Sequence, residues 1–422
     1  MSNLALFGGN PVRTKDFPSW PVFDEAEEQA LLEVLRGGRW WVFSYGESLE
    51  EAQASEGSKV AEFERAFARQ QGTRYGVACA NGTAALEIAL KALGVGAGDE
   101  VIVPPYTFVA TAAAALAVSA APIFCDIDYN TLNLDPQRLE QAITPRTRAI
   151  IPVHFAGQAA DMGAILDIAG RHGIAVLEDA AHAHGAAWNG QGLGTLGRAG
   201  TFSFQGSKNM TAGEGGLIIT GDRDLAELCG SLVWGGRKLG RPWYEHHRLG
   251  WNYRLTEFQA AILLAQLKRL QSQNARRMEN GLYLNRQLAQ IAGIHPVEVA
   301  SFATMHSFHL YVFRFNAAEF GIPRDRFLEA LQREGIACSA GYMHPLYRNP
   351  MFLQHEFHNG GGGRECQIDY AAFRELCPAV ERICQEAVWL EHRQLLGDRA
   401  DMQDIVDAVI KIYEARAEFR PT

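Results

Sequence analysis

The sequence predicts an α/β fold with a mainly parallel sheet covered by helices on both faces. Three observations carry this. From Tyr75 onward, short apolar runs alternate with helical patterns, the order that winds helices onto a parallel sheet. The runs are nearly continuous in apolar character, as in Ile174 to Leu177, which suits strands buried on both faces. The chain is also long enough for a large core without disulfide or metal staples: 422 residues, 47% hydrophobic and 21% charged.

The elements follow in order. A Pro-rich lead precedes a helix around Glu25 to Arg36, and Phe43 to Ser58 reads as a loop before a helix starting near Lys59. Gly76 to Cys79 is a strand. Ala84 to Leu93 is a helix with Leu86, Ala89, Leu90 and Leu93 on one face. Val101 to Val103 is a strand, Thr107 to Val118 a small-residue helix and Pro122 to Asp126 a strand. Asp135-Pro136 caps and opens a helix to Ile143. Ala149 to His154 is a strand, and the helix Asp161 to His172 stops at Gly173. Ile174 to Asp179, Thr201 to Phe204 and Gly216 to Thr220 complete the strands of this half. A long helix runs from Thr256 to about Ala292, with Thr256 and Gln259 spaced as a capping box. Beyond it the pattern is α+β: strand His309 to Phe315, helix Arg324 to Glu334, loop Asn359 to Gly363 and a final helix Asp401 to Ala417. The expected division is 1–270, an N-terminal segment with a large domain, and 271–422, a smaller one.

Composition excludes several classes. The net charge is −9, with no basic block, so nucleic acid is not an expected partner. Cys79, Cys125, Cys229, Cys338, Cys366, Cys377 and Cys384 are odd in number and scattered, which predicts reduced thiols and a cytoplasmic setting. No signal peptide is expected at the N-terminus. Val101 to Cys125 is uncharged and long enough to span a bilayer. Its alanines, its polar Thr107, Thr111 and Ser119, and three prolines favour strand, helix and strand, so no membrane partner is expected. Gly192 to Gly197 matches G-x-G-x-x-G but follows a polar turn, not a strand. A glycine-rich hairpin is the better reading.

Three elements carry chemistry. Asn81 to Ala84 sits between a strand and a helix. Free N–H groups there suit a phosphate, although a plain helix cap reads equally well. Asp179 ends a parallel strand, where ligands bind in such sheets, with His182 three residues on. A loop cap is the plainer reading of Asp179. Metal binding by His182 and His184 lacks a further ligand at typical spacing, so no metal is expected. Lys208 follows a strand end and precedes a glycine-rich turn. Desolvation there would lower its pKa and make an amine nucleophile, where the alternative is a surface lysine. Pyridoxal 5′-phosphate needs one of each: a lysine, an acid for its ring nitrogen and a helix N-terminus.

The stretches NGTAAL, VIVPPYTFVAT, IIPVHFAGQAADM, VLEDAAHAHG, FSFQGSKNMTAGEGG and LGWNYRLTEFQAA together resemble the DegT/StrS-type sugar aminotransferases of fold type I. Within that family GRWW, SKNMTAGEGG and PWYEHHRLGWNYR resemble the L-glutamine:scyllo-inosose aminotransferase group. The resemblance runs from about Phe7 to the C-terminus. It implies a large cofactor domain with a mainly parallel sheet, a smaller α+β C-terminal domain, and pyridoxal phosphate cycling through pyridoxamine phosphate. It also implies residue roles. Lys208 matches the Schiff-base lysine, Asp179 the acid at the ring nitrogen and His182 the contact to the phenolic oxygen. Phe108 matches the aromatic residue stacked on the ring, with Tyr106 the runner-up. Gly82, Thr83, Ala84, Ser203 and Gln205 match phosphate contacts. Asn252 matches a residue lent by a neighbouring subunit, which implies a homodimer with shared sites. His154 and Tyr342 sit where substrate contacts are expected. The loop Phe43 to Ser58 is longer than the sugar-nucleotide branch leads one to expect.

The implied reaction is ping-pong transfer of an amino group from L-glutamine or L-glutamate to a keto-cyclitol such as scyllo-inosose, or to a related keto-sugar. The alternatives are a nucleotide-linked keto-sugar as acceptor, an aromatising synthase of the aminohydroxybenzoate type, and a non-catalytic regulator on the same scaffold. Sugar 3-dehydratases replace the lysine, and Lys208 argues against them.

Overall fold

Apolar strand runs need cover on both sides, and the computed structural model, which describes residues 3–42, 48–357 and 368–419, supplies it. The strands are, in chain order, β1 (Tyr75–Cys79), β2 (Glu100–Val103), β3 (Ala121–Phe124), β4 (Thr147–Ile150), β5 (Ala175–Asp179), β6 (Ala187–Trp188), β7 (Gln191–Gly192), β8 (Ala199–Ser203), β9 (Gly216–Thr220), β10 (Ile294–Pro296), β11 (Leu310–Phe315) and β12 (Ala387–Glu391). The central sheet has seven strands in the order β1-β9-β8-β5-β4-β2-β3. Only β9 runs against its neighbours. The C-terminal ends of β1, β2, β5 and β8 therefore open onto the same edge, where crossover loops converge.

Local chemistry sets the element boundaries. Asn81 accepts from the Ala84 N–H and starts the helix Gly82–Ala92. Asp135 caps the helix Pro136–Ala142, which has proline in its first turn. Gly173 ends Met162–His172 with φ 67°. Thr256 and Gln259 form the capping box of Glu257–Leu288. This helix of 32 residues is about 48 Å long. Its first half buries Leu263, Leu267 and Leu270 beside Phe63 and Phe67. Its last turns bury Leu284 and Leu288 in a second core with Phe313, Phe315 and Phe327.

That second core is built on the antiparallel sheet β10-β11-β12 and the helices Arg324–Arg333 and Arg399–Glu414. The N-terminal lead joins it. Leu4 and Phe17 are buried there, and the Arg13 guanidinium lies between Asp401 and Asp404 at 2.9 and 2.7 Å. Conversely, Tyr347, Phe352, Tyr370 and Phe373 pack on Phe124 of the first core. The N-terminal lead and residues 347–373 thus each pack on the core built mainly by the other half of the chain.

Some expectations need correction. Within Phe43 to Ser58, residues 43–47 lie outside the described part, but Leu49–Gln53 is a helical turn. Ser48 caps it, Glu50 and Glu51 favour its N-terminus, and Leu49 is buried. The strand expected at Ala149 to His154 is shifted to Thr147–Ile150. Pro152 cannot donate to a ladder, and only an isolated bridge joins Val153 to Asp179. The helix expected from Thr107 starts at Ala110. The loop Asn359 to Gly363 and Cys366 lie outside the described residues. Val101 to Cys125 resolves into β2, the helix Ala110–Ala117 and β3. Among the described residues, no helix is long and apolar enough to cross a membrane.

The G-x-G-x-x-G stretch continues from a two-stranded hairpin, β6-β7, turned at Asn189-Gly190 with φ 44° and 82°. Its N–H groups do bind an anion, but an internal one. Gly194, Leu196 and Gly197 each donate to the buried Glu178 carboxylate at 2.7 Å. Glu178→Ala would orphan these three donors and is expected to cost about 3–5 kcal/mol of stability, read as a lower urea midpoint. A midpoint unchanged from the parent would contradict this.

Candidate active site

A cavity of about 1140 Å³ lies at the shared strand edge, between the two cores. Gly82, Thr83 and Ala84 line it from the first turn of the helix after β1, and Phe108 and Thr111 from the segment after β2. Asp179 and His182 line it from the end of β5, and Ser203, Gln205 and Lys208 from the end of β8. His309, Tyr342, Trp389, Glu391 and Arg393 close the opposite wall.

Lys208 is positioned by its neighbours. Its N–H donates to the Gln205 carbonyl at 2.9 Å. Asn209, the next residue, is buried and ties this turn to the start of β11 through the Ser307 carbonyl and His309 Nδ1. Burial lowers the Lys208 pKa to about 8, against the pull of Asp179, which raises it. The amine is thus partly uncharged near neutral pH.

Asp179 is 5% exposed. Thr111 Oγ1 donates to one carboxylate oxygen at 2.9 Å and the Ala181 N–H to the other at 3.2 Å. Burial raises its pKa above the ordinary value, while these donors and Lys208 oppose the rise. A buried carboxylate with two neutral donors is completed best by a cation in the cavity.

The His182 ring is held neutral, chiefly by burial and then by the Lys208 charge. It packs against His309 with ring centroids 4.2 Å apart and the ring planes tilted by 34°. Its Nδ1 is buried without a hydrogen-bond partner among the described residues. Such an orphan calls for a polar ligand atom. Phe108 is 58% exposed on the cavity wall, whereas Tyr106 is 1% exposed behind it, packed on Phe155, Tyr342 and Trp389.

The helix end at Gly82 is shaped for close approach. A Cβ on Gly82 would lie 2.6 Å from the Ser203 Cβ. The Gln205 side-chain Oε1 accepts from the Ser207 N–H and hydroxyl, which leaves its side-chain NH₂ as a donor. First-turn N–H groups, Ser203 Oγ and this amide form a donor set suited to phosphate. Orphaned His182, the cation-seeking Asp179, the donor-rich helix end and a low-pKa Lys208 together fit pyridoxal phosphate.

Two expected residues, His154 and Asn252, do not line the cavity of this chain. His154 is fully buried behind the wall. Its Nδ1 accepts from the Ala160 N–H at 3.1 Å, so its Nε2 donates to Glu178 at 2.9 Å. With both nitrogens committed, it is a structural residue and not a substrate contact. Asn252 is exposed and does not line the cavity of its own chain. Thr111, His309, Trp389, Glu391 and Arg393 were not anticipated as site residues. Thr107 and Thr111, four apart in an alanine-rich run, were the available signal for the first.

The DegT/DnrJ/EryC1/StrS aminotransferase family matches residues 44–410. The chain belongs to that family. A Streptoalloteichus tenebrarius protein provisionally named L-glutamine:3-amino-2,3-dideoxy-scyllo-inosose aminotransferase is 41% identical, with 97% of this chain and 98% of the relative covered. The L-glutamine:2-deoxy-scyllo-inosose aminotransferase of the same organism is 38% identical, with 99% of each chain covered. The crystal structure of 3-amino-5-hydroxybenzoic acid synthase superposes with a TM-score of 0.84 at 36% identity, over 96% of this chain and 100% of that one. The aminotransferase thus has a fold-type-I architecture, with a large, mainly parallel sheet and a smaller α+β part.

Proposed function

We propose that this aminotransferase uses pyridoxal phosphate, attached through Lys208, to move the amino group of L-glutamine or L-glutamate to a keto-cyclitol of the scyllo-inosose type. The observation that carries the reading is the convergence of Lys208, Asp179 and the Gly82 helix end on one cavity. The names of the relatives supply the donor and acceptor classes.

When bound, the cofactor supplies an electron sink for negative charge at the donor α-carbon. Lys208, with a pKa of about 8, takes the α-proton and returns it, since it is available in both protonation states near neutral pH. Asp179, oriented by Thr111 and the Ala181 N–H, would hold the proton on the ring nitrogen. His182, whose Nδ1 lacks a partner among the described residues, would hold the phenolic oxygen, and Phe108 would support the ring. Gly82 to Ala84, Ser203 and Gln205 bind the phosphate. Tyr342, held between Tyr106 and Trp389, contacts the acceptor.

Asn252, exposed on its own chain, would complete the phosphate site of a second subunit in a homodimer. The exposed Trp243, Tyr244 and Leu249 before it support such a covered surface. Six cysteines are free thiols, five of them buried, which supports a reducing, cytoplasmic setting. The working division remains 1–270 and 271–422, with the N-terminal lead packed on the latter.

The resemblance to the hydroxybenzoate synthase keeps an aromatising reaction as the second reading. An acceptor screen with L-glutamine, read by mass spectrometry, separates them. The expected product is an aminocyclitol, formed only with donor present. Amination of a nucleotide-linked keto-sugar alone, or donor-independent aromatisation, would overturn the acceptor assignment.

A further inference from the structure

A transaminase cavity must take two unlike substrates by turns. On the reading above, the donor brings an α-carboxylate and the cyclitol acceptor has none. The cavity is a poor host for an anion away from its phosphate end: Glu87, Asp179, Glu214 and Glu391 all line it. Among its described lining residues, the only Lys or Arg side chains are Lys208 and Arg393. Lys208 is the attachment point and proton carrier. His182, His309 and His392 are held neutral, chiefly by burial.

Arg393 is free to act. It stands just beyond β12, on the wall that also carries Tyr342 and Trp389. Its Nε donates to Glu391 at 2.6 Å, and one terminal nitrogen reaches the Pro18 carbonyl only at 3.5 Å. The other terminal nitrogen has no partner among the described residues. The Arg393 and Glu391 side chains are 32% and 59% exposed, and an ion pair so hydrated costs little to break. A guanidinium binds a carboxylate through two parallel N–H donors, a geometry no other group here offers.

Resting on the aminotransferase reading, we propose that Arg393 receives the α-carboxylate of the amino donor, and that Glu391 holds Arg393 when the uncharged end of the acceptor occupies the same place. The Arg393–Glu391 pair opens for the donor and closes again for the acceptor. One cavity thereby serves both halves of the reaction without leaving an unpaired guanidinium beside the uncharged cyclitol.

The test uses the holoenzyme and follows each half-reaction by the cofactor's visible absorbance, with L-glutamine and its α-carboxamide as donors. Arg393→Met is expected to raise the glutamine KM by about 10- to 100-fold, the factor for losing a charged hydrogen-bonded pair. The acceptor KM should move by less than about threefold. The preference for glutamine over its α-carboxamide should collapse, and Arg393→Lys should restore part of it. Glu391→Gln should keep donor binding and tighten inhibition by simple carboxylates. The proposal is overturned if Arg393→Met leaves the glutamine KM or the α-carboxylate preference unchanged. It is also overturned if donor and acceptor KM rise together, as for a merely structural residue. If the unaltered holoenzyme gives no absorbance change with any amino acid, the aminotransferase reading itself fails, a separate outcome that carries this proposal with it.

Discussion

Lys208→Ala is expected to lose at least about 10⁴-fold in turnover while still binding pyridoxal phosphate. The proposed mechanism assigns two functions to the one side chain: covalent attachment and the proton transfer at the donor carbon. No neighbour can replace it. Among the described lining residues the only other amine or guanidinium is Arg393, on the far wall. The histidines nearby, His182 and His309, are packed ring on ring with centroids 4.2 Å apart and lack the reach of a lysine. Phosphate and ring contacts remain, so the variant should retain the cofactor on gel filtration without a Schiff-base absorbance. Added methylamine should restore a measurable fraction of the rate. Turnover near the parent's level would remove Lys208 from the mechanism.

Asp179→Asn is expected to cost about 10³-fold in kcat/KM. On the proposed mechanism this buried carboxylate would hold a proton on the ring nitrogen, and the amide keeps its shape without its charge. A second readout separates this role from folding. Asp179 raises the Lys208 pKa against the lowering by burial. Removing the charge should therefore move the Lys208 titration below about 8. In the apoprotein, amine labelling mapped to Lys208 should become half-maximal at lower pH than in the parent. An unchanged titration with full activity would contradict the assignment.

Much of this site was legible because its parts follow short-range rules. Asn81 reads as a cap, Asp179 as a strand end and Lys208 as a lysine between a strand and a glycine turn. Each signal lies within a few residues of the group it identifies. What was not legible depends on where distant segments meet. Thr111 reaches Asp179 across 68 positions, and only the neighbouring ends of β2, β4 and β5 make that contact. Arg393 and Glu391 enter the cavity because β12 pairs with β11, a register the sequence does not state. His154 shows the reverse error. A histidine at an expected strand end looks functional until Glu178 and the Ala160 N–H are seen to claim both its nitrogens. The packing of the N-terminal lead was hidden for the same reason: Leu4, Arg13 and Phe17 precede the large sheet in the chain, yet pack on the C-terminal core.

The most direct test of the account is a two-step titration of the holoenzyme, followed by its visible absorbance. L-glutamine alone should bleach the band stoichiometrically, and 2-deoxy-scyllo-inosose added after donor removal should restore it. A band that glutamine and glutamate both leave unchanged, or one that only a nucleotide-linked keto-sugar restores, would contradict the account.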